Sequence, residues 1–156
     1  MKKTINYMII LATIFILSCQ GYSDKENNIN KESIFPSHIG AWEMIYFRSI
    51  HRTDTTILVK NDTPLAITLL TPSHFSYQWR NSSNSGAGTY TYDGKIIHQE
   101  FKYVKDSSFV GAILSFNMDV RNDSLIFSGP VKAVSSTGKD LMNKIPQMLE
   151  IRRRAD

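Results

Sequence analysis

The stretch GAGTYTYDGKIIHQEFKY, Gly86 to Tyr103, decides the fold. Asp93-Gly94 supplies the positive φ angles of a two-residue type I′ turn, and alternating residues flank it on both sides, so a β-hairpin is expected. Closing the turn there pairs Tyr92 with Lys95, Tyr90 with Ile97 and Thr89 with His98. Tyr90, Tyr92, Ile97, Gln99, Phe101 and Tyr103 then share one face, and Thr89, Thr91, Ile96, His98, Glu100 and Lys102 share the other. A curved antiparallel sheet that closes around a core or a cavity needs such a division into one aromatic and one mostly polar face.

Upstream of the hairpin, Phe75, Tyr77 and Trp79 alternate with His74, Ser76 and Gln78, a period-2 strand within Ser73 to Arg80. Ile39 to Ile50 opens the domain as a long strand with apolar residues on both faces, as suits a strand that plugs a barrel at one end and lines it at the other. Thr55 to Lys60 and Leu65 to Leu70 are further strands, separated by the turn set Asn61-Asp62-Thr63-Pro64. Downstream, Phe109 to Met118 and Ser124 to Ser128 are strands around a turn at Arg121-Asn122-Asp123, and Gly129-Pro130 is expected to end the second because proline cannot continue the ladder. Leu141, Met142 and Ile145 indicate one or two turns of helix stopped by Pro146, and Gln147 to Arg154 is a closing strand. The expected fold is all-β: a single antiparallel up-and-down β-barrel of about 8–10 strands, with at most one short helix, which removes the exposed edges of so large a sheet.

The N-terminus carries a different instruction. Lys2 and Lys3 precede an apolar run from Ile5 to Leu17, too short to span a bilayer comfortably, and Ser18 stands before the single cysteine, Cys19. This describes an export leader over residues 1–18. Its ending resembles the lipobox of bacterial lipoproteins, which implies lipidation of Cys19 and a membrane anchor at the new N-terminus. Gln20 after the cysteine resembles the outer-membrane sorting class of enteric bacteria, and Asp24-Lys25-Glu26 is similar to the acidic surface-export tags of Bacteroidetes lipoproteins. The expected address is the cell envelope, lipid-anchored, at the outer membrane on its periplasmic or surface face. Residues 19–37, rich in Asn, Lys, Glu and Ser, are expected to be a flexible tether reaching about 20–25 Å. The barrel domain is placed at 38–154, long enough for one core and too short for two.

Removing two of the 18 basic residues with the leader lowers the formal net charge from +4 to +2. No basic stripe interleaves with aromatics, so no nucleic-acid partner is expected. With Cys19 acylated, no thiol remains for a disulfide or a metal cluster.

Several features together resemble the lipocalin-like lipoproteins of Bacteroidetes, members of the calycin superfamily. They are Gly40-x-Trp42, Thr71 to Tyr77 (TPSHFSY), the glycine-tyrosine hairpin from Gly86 to Gly94, Glu100, and a closing strand with Glu150 and Arg154. The resemblance spans about Ile39 to Arg154. It implies a lipocalin-like barrel whose floor is closed by Trp42, with an arginine of the last strand packed across the ring in a cation–π contact. Arg152 and Arg154 are both candidates, because Arg152 stands where this group often carries a tryptophan.

Trp42, Tyr46, Phe75, Tyr77, Trp79, Tyr90, Tyr92, Gln99 and Phe101 are the candidate ligand-binding residues, since apolar walls with a few placed polar groups make small-molecule sites. The same aromatics would equally serve to fill a solid barrel, because about eight strands is the size at which either outcome occurs. His38, His51, His74 and His98 have no ligand spacing, so no metal and no cofactor are expected. Ser136-Thr137-Gly138-Lys139 matches a serine–lysine spacing only by chance in a polar loop, and no catalytic residue is assigned. His98 and Glu100 share a face and are the one candidate acid–base pair. The functional expectation is a non-enzymatic envelope lipoprotein binding a small apolar or amphipathic ligand. The alternative is a filled barrel that contacts an envelope protein partner.

Overall fold

A computed structural model of the chain describes residues 37–155. Cys19, the leader and nearly all of the tether lie outside the described residues. Nine antiparallel strands make up the rest: β1 (Gly40–His51), β2 (Asp54–Val59), β3 (Ala66–Leu70), β4 (His74–Trp79), β5 (Ser85–Tyr92), β6 (Ile96–Val104), β7 (Ile113–Arg121), β8 (Ser124–Val134) and β9 (Gln147–Arg154). Each pairs with the next from β3 to β9, and β9 returns to pair with β1 along nearly its whole length. β1 pairs with β3 through residues 40–43, which closes an eight-stranded barrel.

β2 is the extra strand. It pairs with the outer half of β1, Tyr46 to His51, and continues the line of β3 after the interruption at 60–65. Its far edge has no strand partner among the described residues, and Ile57 and Val59 are 56% and 61% exposed.

Three irregularities decide which side chains face inwards, because a one-residue slip sends every later residue to the other side. In β1 the register shifts between Met44 and Tyr46. Trp42 and Met44 face in, Tyr46 is turned outwards opposite Val59 and Ile151, and Phe47 takes the inward position. In β6 the shift lies opposite Ala87 and Gly88, leaving Lys102 as the extra residue. Tyr103, expected on the inner face, is therefore 77% exposed, and Val104 points in. In β8 the shift falls at the residues opposite Phe116: Asn117 faces Ser128 but Ser115 faces Lys132. Pro130 sits in that arc, where no ladder donor is required, so the expected strand end at Gly129-Pro130 is overturned and β8 runs on to Val134.

The hairpin forms around Asp93-Gly94, with one correction. Tyr92 pairs with Ile97 and Tyr90 with Gln99, a register two residues longer than a two-residue turn would give. The Asp93 carboxylate causes this by accepting hydrogen bonds from the Lys95 and Ile96 amides at 2.8 and 2.7 Å. Those bonds also hold its pKa below the usual carboxylate range. A shift of two preserves the faces, so Tyr90, Tyr92, Ile97, Gln99 and Phe101 still point inwards. The expected helix before Pro146 is a single 3-10 turn at Met142–Lys144, and a second such turn, Ser107–Phe109, replaces the expected start of a strand at Phe109.

Gly88 is required by the bulge: a Cβ there would overlap the backbone carbonyl oxygen of Glu100. Gly88→Ala is expected to destabilise the domain by about 3 kcal/mol or more, since backbone must move. Gly94→Ala, where a Cβ meets nothing within 4 Å, should cost only about 1–2 kcal/mol of left-handed strain. Urea unfolding of the two variants checks this ordering, and equal losses would refute it.

Candidate functional site

The barrel is filled at one end and hollow at the other. At the filled end Trp42 is 0% exposed, and the guanidinium of Arg154 lies 4.4 Å from its ring centre. Arg154, not Arg152, is thus the arginine stacked across the floor. Its remaining N–H groups donate to the carbonyls of Ile39 and Ser37 at 3.1 and 2.6 Å, tying the entry of the domain to its last strand. Gly40 adopts φ +139°, and a Cβ there would come within 2.7 Å of the guanidinium, so the glycine of the G-x-W motif makes room for the stack.

The Trp42 indole N–H donates to the His38 carbonyl at 2.8 Å, and the His38 ring meets Tyr92 and Tyr90 edge-on at 4.8 and 6.0 Å. Tyr90 donates to the Thr71 carbonyl at 2.6 Å and Tyr92 to that of Met118 at 3.2 Å. With both hydroxyls bonded to the turn and strand around them, these tyrosines belong to the plug. Burial pushes both phenols above their usual pKa and holds the His38 imidazole below its own.

Above the plug is a cavity of about 610 Å³, within the range of small-molecule sites. Phe47, Phe75, Trp79, Phe101, Phe116 and Phe127 form aromatic walls, and its mouth is set by the loops at Ser82–Asn84, Lys105–Asp106 and Lys144–Pro146. Of the residues singled out from the sequence, Phe75, Tyr77, Trp79, Gln99 and Phe101 line this cavity. Trp42, Tyr90 and Tyr92 do not, because they close the floor, and Tyr46 does not, because the β1 bulge turns it to the outer surface. His98 and Glu100 lie on the outer face and do not pair with each other: His98 bonds Ser115 at 2.8 Å, and Glu100 bonds Lys102 and Thr89.

Sequence reasoning missed the polar group inside the cavity. Arg152, 6% exposed, donates to the Thr68 hydroxyl and to the carboxylate of Glu150, itself 8% exposed, and lies 5.2 Å from the Phe127 ring centre. Its Nε has no hydrogen-bond partner among the described residues. Met148, Glu150, Arg152 and Arg154 alternate along β9 on the inner face, and that period of two was the available signal. A buried ion pair contributes little net stability compared with well-packed apolar residues, since desolvation offsets the attraction. The unmet Nε is itself sealed from the cavity, so what the pair presents to the chamber is the rest of the guanidinium and the Glu150 carboxylate, a polar patch in an apolar wall of the kind that orients a bound molecule.

The Tyr77 phenol sits beside this group, pushed up to about 12 mainly by burial and then by the charge of Glu150, with Arg152 opposing. Because the folded state favours the neutral phenol, the unfolded chain loses its proton first. Stability should therefore fall as pH rises from about 10 towards about 12, by at most about 2–3 kcal/mol for this residue. Tyr77→Phe is expected to flatten the alkaline limb of urea-unfolding free energies measured from pH 8 upwards, and an unchanged slope would contradict the burial of this phenol.

Comparison of the chain with protein-family models, with curated proteins and with solved structures returned no match.

Proposed function

We propose that this protein is a non-enzymatic, lipocalin-like envelope lipoprotein, anchored to the outer membrane through acylated Cys19, that binds a small amphipathic molecule in its barrel. The observation that carries this is the cavity of about 610 Å³ with aromatic walls and a buried, incompletely bonded arginine inside it. The apolar part of the ligand lies against Phe75, Phe101 and Phe116, and its polar end reaches Arg152 and Gln99. Ten buried methylenes would contribute about 8 kcal/mol, of which association consumes at least about 4 kcal/mol. Hydrogen bonds at the polar end must then raise the affinity above the millimolar range.

A protein partner for the outer surface is the second reading, favoured by the unpaired edge of β2 and the exposed Ile57 and Val59. Stoichiometric crosslinking of one envelope protein to β2 would support it.

The deciding experiment is native mass spectrometry of the full chain after exposure to a lipid and metabolite extract of its host. The expected outcome is one added mass at stoichiometric occupancy. Leu114→Trp, which fills the cavity from β7, should lower occupancy at least about tenfold, roughly 1.4 kcal/mol, while melting like the parent. A bare protein mass across repeated extracts would overturn the proposal.

A further inference from the structure

We propose that the cavity selects a neutral, hydrogen-bonding head group over an anionic one, and that Glu150 is the residue that sets this preference. This rests on the ligand-binding function above and names the class of molecule that fills the site. A lone buried arginine in an apolar cavity invites a carboxylate or a phosphate. Here the charge of Arg152 is already met by Glu150 on the same strand face, both residues being buried. An entering carboxylate would be attracted by the guanidinium and repelled by Glu150 at similar range. It would gain little Coulomb energy while losing its hydration.

What the site leaves unmet is instead a set of hydrogen-bonding positions. The Arg152 Nε has no partner among the described residues but is sealed from the cavity, so it is not one of them. Gln99, on β6 across the cavity, is buried and its amide makes no hydrogen bond among the described residues, leaving both donor and acceptor available. Glu150 binds Arg152 through Oε2, which leaves Oε1 to accept. One acceptor on Glu150 and an amide on Gln99 able to donate and to accept match a head group that carries both a donor and an acceptor. Alcohols, primary amides and acylglycerols have this chemistry, and a carboxylate has only acceptors. The other charges facing the cavity, Lys105, Asp106 and Lys144, stand at its mouth. Lys105 bonds the Ser83 hydroxyl, and the Asp106 carboxylate accepts from the Ser108 amide at 2.9 Å, so neither compensates a charge at the depth of Arg152.

The test uses the full chain in phosphatidylcholine nanodiscs at pH 8, with a neutral fluorescent probe, N-phenylnaphthylamine, displaced by decanol, decanamide and decanoate. Decanol and decanamide are expected to bind at least about tenfold more tightly than decanoate. Glu150→Gln removes the opposing charge and should tighten decanoate at least about tenfold while changing decanamide less than about threefold. Decanoate binding to the parent as tightly as decanamide, with Leu114→Trp still blocking both, would overturn the selectivity and leave ligand binding standing. Displacement by none of the three would overturn both. The parent series decides the head-group class whether or not Glu150→Gln melts like the parent.

Discussion

The stacking of Arg154 on Trp42 is the interaction on which the rest of the barrel depends. A sheet of this length closes only if its first and last strands meet, and the guanidinium joins them at the closed end. It rests on a ring from β1, bonds the carbonyls of Ser37 and Ile39, and belongs to the last residue of β9. The contact is desolvated on the side of the ring, where cation–π attraction is worth more than at an exposed site. Its geometry explains the glycine at position 40 and the tryptophan at position 42 together, because the ring supplies the surface and the missing Cβ supplies the space.

The same strand then changes role along its length. Trp42 and Met44 complete the plug, the shift at Ile45 breaks the alternation, and Phe47 enters the cavity wall against Trp79 at 4.9 Å. β9 mirrors it. Arg154 belongs to the floor, while Arg152 and Glu150, one and two inward positions further on, belong to the cavity. Two arginines two residues apart on one face thus do unlike things: one stacks on a ring and bonds backbone carbonyls, and the other bonds a carboxylate and a hydroxyl beside the cavity. The difference lies in what each meets across the barrel. Arg154 meets the flat face of an indole, whereas Arg152 meets Thr68, Glu150 and an opening.

Polar atoms are accordingly divided between the two ends. In the plug, the hydroxyls of Tyr90 and Tyr92 and the indole N–H of Trp42 are all spent on backbone carbonyls, which is the condition for burying them without loss. In the cavity, the Gln99 amide and Glu150 Oε1 are left without a partner among the described residues. A floor that is satisfied and a chamber that is not separate the part of the interior that holds the fold from the part open to a ligand.

By itself the sequence determined the all-β barrel, the hairpin at Asp93-Gly94, and the inward faces of β4 and of β6 as far as Phe101, while Trp42 with an arginine of the last strand as the floor was what the resemblance to lipocalin-like lipoproteins implied. Period-2 alternation and turn chemistry are local signals, written within a few residues of each other. Phe75, Tyr77, Trp79, Gln99 and Phe101 were legible as inward for the same reason. Tertiary structure alone decided that Tyr46 and Tyr103 face outwards, that β8 passes through Pro130, and that Tyr90 and Tyr92 plug the barrel instead of lining its cavity. Each of these depends on a bulge or on depth along the barrel axis. Neither can be read from one strand, because a bulge is defined by the partner it slips against and depth by the strands on either side. The pairing of Arg152 with Glu150 and Thr68 is of the same kind, since Thr68 stands 84 residues away in the chain and meets the guanidinium only after the barrel has closed.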